Sequence, residues 1–211
     1  MTELSHLYQQ AILKSLRNFC YKDAVFVAER LCYSHLDSSA ANLILAYCLF
    51  CSQEYQRSIL YCQKSVDKRA KYIEANCLMN LKKYADCEQA CNVLLSGSIK
   101  GSAKEDSVSL IAPLENFLPS IQSNDCILAI LGSCYKKIGK KLVAVKHFSE
   151  SLQANALSWS CYEELCELGK PLDISNLLDG KSKKVVEKYS LALILDQNLL
   201  SLRSVNLLEV H

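Results

Sequence analysis

Residues 131–148 read LGSCYKKIGKKLVAVKHF. A Leu-Gly pair is followed by Tyr135, and then by Ala144 and Phe148. Leu128, Leu131 and Tyr135 share one helical face, as do Ala144 and Phe148 beyond Gly139. Gly139 takes a positive φ at little cost, so it marks the turn of a helical hairpin. Gly132 and Ala144 are small, which lets the two helices cross closely. Tyr135 and Phe148 are large enough to fill the space around that crossing.

Worked outward, the stretch becomes one register of a repeat. The tetratricopeptide pattern sets Trp, Leu-Gly and Tyr on a first helix, Ala and Phe on a second, and a closing Pro, over roughly 34 residues. Leu128 takes the Trp position, Leu131, Gly132, Tyr135, Ala144 and Phe148 match, and Ala156 stands for Pro. One repeat further on, Tyr162, Leu165 and Cys166 take the first-helix positions. Backwards, Leu45, Ala46, Leu49, Ser58 and Cys62 make one copy, and Ala75, Leu78, Cys87 and Cys91 a weaker one. Ala24 and Ala28 occupy the second helix of the first pair.

Helical periodicity is predicted over 4–19, 21–34, 40–52, 55–66, 70–81 and 84–95, and again from Asp125 to Gly169. The predicted fold is all-α, a right-handed tetratricopeptide superhelix of helix-turn-helix units. It spans 1–170 with about four to five helical pairs, since recurrence at this spacing signals a solenoid. Residues 96–124 are an expected insertion: a Gly/Ser/Lys-rich exposed loop, then VSLIAPLENFLPSI with Pro113 at a helix start or a kink. Residues 171–184 read as a linker and 185–211 as a further helical segment. That segment stops at LLEVH in mid-pattern, so a fragment of a longer protein is expected.

Composition excludes several classes. A net charge of +2 leaves no footprint for nucleic acid. The longest clean apolar run in the Leu-rich C-terminal stretch, Leu191–Leu195, is too short to span a bilayer. MTELSHLYQQAIL carries no charged lead into an apolar stretch, so a reducing nuclear and cytoplasmic location is expected for the 12 Cys. These Cys read as small apolar core residues. Cys48 and Cys51 form a CxxC without strands around it, and no His pairs with a Cys cluster. No cofactor, metal or small-molecule substrate is expected. Neither a Gly-rich phosphate loop nor GxSxG nor HExxH occurs, and Glu163, Glu164 and Glu167 form an acidic helix face, so the chain is not expected to be an enzyme.

Three stretches carry a further resemblance. AILKSLRNFCYKDAVFVAERL at 11–31, KYIEANCLMNLKKYADCEQ at 71–89 and WSCYEELCELG at 159–169 resemble the cell division cycle 27 family of the anaphase-promoting complex, or cyclosome. The likeness covers residues 8–170, apart from the insertion. It implies a scaffold subunit of a multisubunit ubiquitin ligase acting in mitosis and cell-cycle control. It also implies a homodimer made by the N-terminal repeats, with other subunits of the complex as partners.

The register sets Leu43, Tyr47, Phe50, Tyr72 and Met79 along an apolar groove that suits an amphipathic helix. Leu7, Leu13 and Leu16 of a second copy are the candidate inserting residues. The alternative function is a peptide-binding adaptor or co-chaperone. Its carboxylate clamp falls on Gln9, Leu13, Ile44, Arg69 and Ile73, where only Arg69 is basic, while Lys136 and Lys137 face the groove of a later repeat.

Overall fold

The computed structural model describes residues 3–97 and 110–170. The expected linker at 171–184, the segment at 185–211 and most of the Gly/Ser/Lys-rich loop lie outside the described residues. Helices pair in chain order: α1 (Glu3–Arg17) with α2 (Tyr21–Ser34), α3 (Ser39–Cys51) with α4 (Tyr55–Cys62), and α5 (Lys68–Asn80) with α6 (Tyr84–Leu95). A short 3-10 turn, Ala112–Leu114, with Pro113 in its first positions, precedes α7 (Asp125–Ile138), α8 (Lys141–Ala154) and α9 (Trp159–Glu167). No strand occurs among the described residues, and the fold is an all-α tetratricopeptide array.

Each first helix ends in the same way. Phe19, Gln53, Lys82, Gly139 and Gly169 all have φ between 57° and 87°. The next amide in each case reaches back five residues at 2.9 Å: Cys20 to Ser15, Glu54 to Leu49, Lys83 to Leu78, Lys140 to Tyr135 and Lys170 to Leu165. This is the Schellman cap, which satisfies carbonyls left open at a helix end. Its recurrence after α9 marks that helix as the first half of another repeat. Only two of the five left-handed positions are Gly, so only two of these turns announce themselves in the sequence.

The second, third and fourth hairpins are each closed by a pair of small residues 12 apart. Ser58 Oγ donates to the Ala46 carbonyl at 2.8 Å, and Cys87 Sγ to the Ala75 carbonyl at 3.2 Å. Gly132 and Ala144 hold the same places in the α7–α8 pair, both buried. Two N-termini carry side-chain caps: Ser38 Oγ accepts from Ala41 N–H, and Asp67 Oδ1 from Arg69 N–H.

Two apolar clusters hold the first seven helices together among the described residues. One joins α1–α4 and the start of α5, and it includes Leu110, Ile111, Leu114 and Leu118 from the insertion. The other joins the end of α5 and α6 to α7. The insertion therefore comes back against the first repeats, and its apolar half completes their core.

Candidate functional site

The candidate site is the face shared by the first helices α1, α3 and α5. Gln9, Leu13, Ile44, Arg69 and Ile73 point there; Gln9, Leu13, Ile44 and Ile73 are buried, and Arg69 keeps 16% of its side chain exposed. Leu13, Ile44 and Ile73 share one buried cluster with Leu110, Ile111, Leu114 and Leu118. Gln9 is fully buried and donates from Nε2 to the Leu110 carbonyl at 2.9 Å. At the other end Lys68 Nζ donates to the Ile121 carbonyl at 2.7 Å.

Arg69 organises the middle. Its Nε donates to Asp67 Oδ1 at 3.0 Å and its Nη2 to Oδ2 at 2.7 Å. Its Nη1 meets both carboxylate oxygens of Glu115, at 2.8 and 2.9 Å. A planar guanidinium with five donors suits two carboxylates at once. Burial alone would raise the Asp67 carboxyl, but the Arg69 hydrogen bonds and charge outweigh it and hold the carboxyl below its usual range. The Asp67 hydrogen bonds raise Arg69 in turn.

The residues expected at a dimer groove separate into two groups. Leu13, Leu16 and Leu43 are buried in the chain's own core. This corrects their reading as inserting or groove residues, because they cannot reach a partner without leaving that core. Leu7 is 63% exposed. Tyr47, Phe50, Tyr72 and Met79 are half-buried. Among the repeat-packing residues, Leu131, Gly132, Ala144, Phe148, Ala24, Ala28, Ala46 and Ala75 are buried. Tyr135 is half-buried and works both between repeats and inside its own. Its hydroxyl donates to Glu88 of α6 at 2.6 Å, and its ring stacks on His147 at 5.4 Å. That hydrogen bond pushes the phenol up to about 12.

Lys136 is paired with Glu164 and Glu167 of α9, the acidic face seen in the sequence. It is therefore occupied within the chain. The cysteines are free thiols, and Cys48 and Cys51 sit in the last turns of α3. Burial pushes the Cys32 and Cys62 thiols up to about 12 and Cys77 to about 11, which suppresses the nucleophilic thiolate. Among the described residues no group of three or more His, Cys, Asp or Glu is placed to hold a metal ion. No helix there is long and apolar enough to cross a membrane.

The sequence did not reveal the groove filler. Its signal was the apolar spacing Leu110, Ile111, Leu114 and Leu118 beside Pro113, which periodicity alone cannot assign to a place in the fold.

Comparison with known proteins bears on this arrangement. Residues 17–93 match the family model described as anaphase-promoting complex, cyclosome, subunit 3. The human cell division cycle protein 27 homologue is 31% identical over 176 residues, 82% of this chain and 20% of the relative. The array is an N-terminal tetratricopeptide domain of the cell division cycle 27 type. A Schizosaccharomyces pombe anaphase-promoting complex subunit 3 is 26% identical over 183 residues, 78% of this chain and 24% of the relative. The chain thus spans about a fifth of the length of the curated relatives it matches. Among solved structures, one titled Cdc27 N-terminus superposes with a TM-score of 0.66 at 20% identity, covering 77% of this chain and 66% of its own. A MamA fragment from Desulfovibrio magneticus RS-1 reaches a TM-score of 0.63 at 11% identity, covering 94% and 98%. The match to a MamA fragment at so low an identity speaks for the shared fold alone. The cell division cycle 27 relatives carry the sequence likeness.

Proposed function

We propose that this chain is a non-catalytic scaffold module of the anaphase-promoting complex, a multisubunit ubiquitin ligase of the cell cycle. It pairs with a second copy of itself and with other subunits of that complex, in the nucleus and cytoplasm. Residues 1–170 form the working array. The observation that carries this reading is the 31% identity to a cell division cycle 27 homologue across 82% of the chain. The co-chaperone alternative lacks such support, because the positions of its carboxylate clamp are taken by the chain's own residues 110–118.

Self-association falls to the exposed apolar side chains of the first repeat. Leu4 and Leu7 of α1 and Tyr33 and Leu36 around the end of α2 are 50%, 63%, 82% and 76% exposed. The two helix ends are adjacent, since Ser5 Oγ and His35 Nε2 lie 2.7 Å apart. An apolar patch of this kind on a polar rim marks an interaction surface. Light scattering of the purified chain tests the pairing: a mass twice 23.7 kDa is expected, and a clean monomer overturns it. Leu7→Glu dissociates the pair with the helices intact. Recovery of other subunits with the tagged chain tests the assembly, and their absence removes that part of the reading.

A further inference from the structure

The turns that end α5, α7 and α9 stand side by side. Cys134, near the end of α7, has its Sγ 3.1 Å from Cys87 Sγ of α6 and 3.5 Å from Met79 Sδ of α5. Lys136 reaches Glu164 and Glu167 near the end of α9. These turns therefore follow one another along one edge of the array, outside the face of α1, α3 and α5.

The edge carries one sign of charge. Lys82, Lys83, Lys140, Lys141 and Lys170 are all exposed. None of the five has an ion pair among the described residues. The carboxylates close by are committed: Tyr135 donates to Glu88 at 2.6 Å, and Lys136 holds Glu164 and Glu167. Asp86 is the one further acid beside these turns among the described residues. Helix dipoles do not account for the lysines, because each turn sets the negative end of one helix beside the positive end of the next. A net charge of +2, from 24 basic and 22 acidic residues, thus conceals a segregated edge. The turn after α3 does not extend it: Ser52, Gln53 and Glu54 stand there, and Glu54 pairs with Arg57.

Two aliphatic side chains stand among the lysines. Ile138 is 41% exposed and Leu142 82%. Nucleic acid is bound through aromatic or Arg planes on which bases stack. Here the cations are lysines, and the ring at the α7 turn, Tyr135, already stacks on His147.

We propose that this edge is a docking surface for an acidic peptide segment of a partner protein, with aliphatic residues between its carboxylates. The carboxylates meet the lysines, and the aliphatic side chains cover Ile138 and Leu142. Because α5 and α7 are in contact, their axes lie roughly 8–10 Å apart, a step that an extended chain makes in about three residues. A segment of about eight residues therefore reaches all three turns. The site is separate from the first-repeat patch assigned to self-pairing and does not depend on it.

The probe is fluorescein-labelled EEDLEELDEE, added to the full chain and followed by anisotropy. Binding is expected with a Kd on the order of 10 μM in about 50 mM salt, weakening at least about threefold in about 200 mM salt as the lysines are screened. Lys140→Glu/Lys141→Glu weakens it about tenfold, and Leu142→Ser about threefold at either salt. Lys14→Glu/Lys64→Glu makes the same change of charge on the first two repeats and leaves binding within about twofold. No binding by the native chain, equal losses in the two charge variants, or tighter binding of decauridylate or of phosphatidylserine vesicles overturns the proposal. Hydrogen exchange on the native chain locates the peptide without a variant. The amides of 82–84 and 139–142 slow when it is added, and those of α1 do not change. Unchanged exchange at these turns, or protection confined to the face of α1, α3 and α5, would end the idea.

Discussion

Gly132 lies against the ring of Phe148, so closely that a Cβ on residue 132 would stand 2.6 Å from two ring carbons. The ring is 1% exposed and cannot turn away into solvent. Gly132→Ala therefore overpacks the α7–α8 crossing and lowers stability by roughly 1–3 kcal/mol. Urea unfolding reads the change. Phe148→Leu combined with Gly132→Ala recovers part of the loss, and a purely additive double variant would show that the ring is not the obstacle.

Ser58 and Ala46 make the equivalent contact in the second repeat through a buried hydrogen bond rather than a bare crossing. Ser58→Ala removes the donor and keeps the volume small, at a cost of about 1 kcal/mol. Ser58→Leu adds bulk at a position with no exposure and costs more than Ser58→Ala. Midpoints in urea should fall in that order, and the reverse order would mean that the donor, not the space, decides the site.

These two crossings show how much of the fold was legible. Ala46, Ser58, Ala75, Cys87, Gly132 and Ala144 recur at one spacing, and a sequence displays spacing directly. The helix ends were partly legible: Gly139 announces a left-handed turn, whereas Phe19, Gln53 and Lys82 adopt it against their own preference. The groove was legible as a row of positions and illegible as a state. Arg69 stood out as the one basic clamp residue. Its partner Glu115 lies 46 positions away in the insertion, and no local periodicity links the two. Leu13, Leu16 and Leu43 were misplaced for the same reason. Helical spacing says which residues share a face, not which of two faces the insertion will cover.

Asp67 gives the site a pH signature. Its carboxyl is held below the usual range, so the folded state binds its proton more weakly than the unfolded state, whose carboxyl titrates near about 4. The stabilisation from Arg69 is then fully present above about pH 4 and is lost as pH falls through the depressed folded value. Asp67→Asn keeps a capping side chain for Arg69 N–H but drops the charge, at a cost of about 1–2 kcal/mol near neutrality. Urea midpoints of the two proteins should converge below about pH 4. A difference that persists unchanged into acid would assign the loss to geometry rather than ionisation.

Lys82 offers the opposite test, a gain. It closes α5 at φ 60°, and its amide bonds the Met79 carbonyl while Lys83 reaches Leu78. A side chain in this left-handed region costs roughly 1–2 kcal/mol, which glycine does not incur. Glycine loses about 0.5–1 kcal/mol more backbone freedom on folding, so the net gain for Lys82→Gly is about 0.5–1 kcal/mol. Lys82→Ala retains the Cβ and should gain nothing, which separates backbone strain from loss of the lysine charge. Gly139→Ala is the mirror experiment. It has open space around the added methyl, so any destabilisation there comes from φ 87° alone. Matching shifts of opposite sign in the two urea midpoints would show that one cap geometry governs both repeats. A gain of equal size from Lys82→Ala would remove the cap from the explanation.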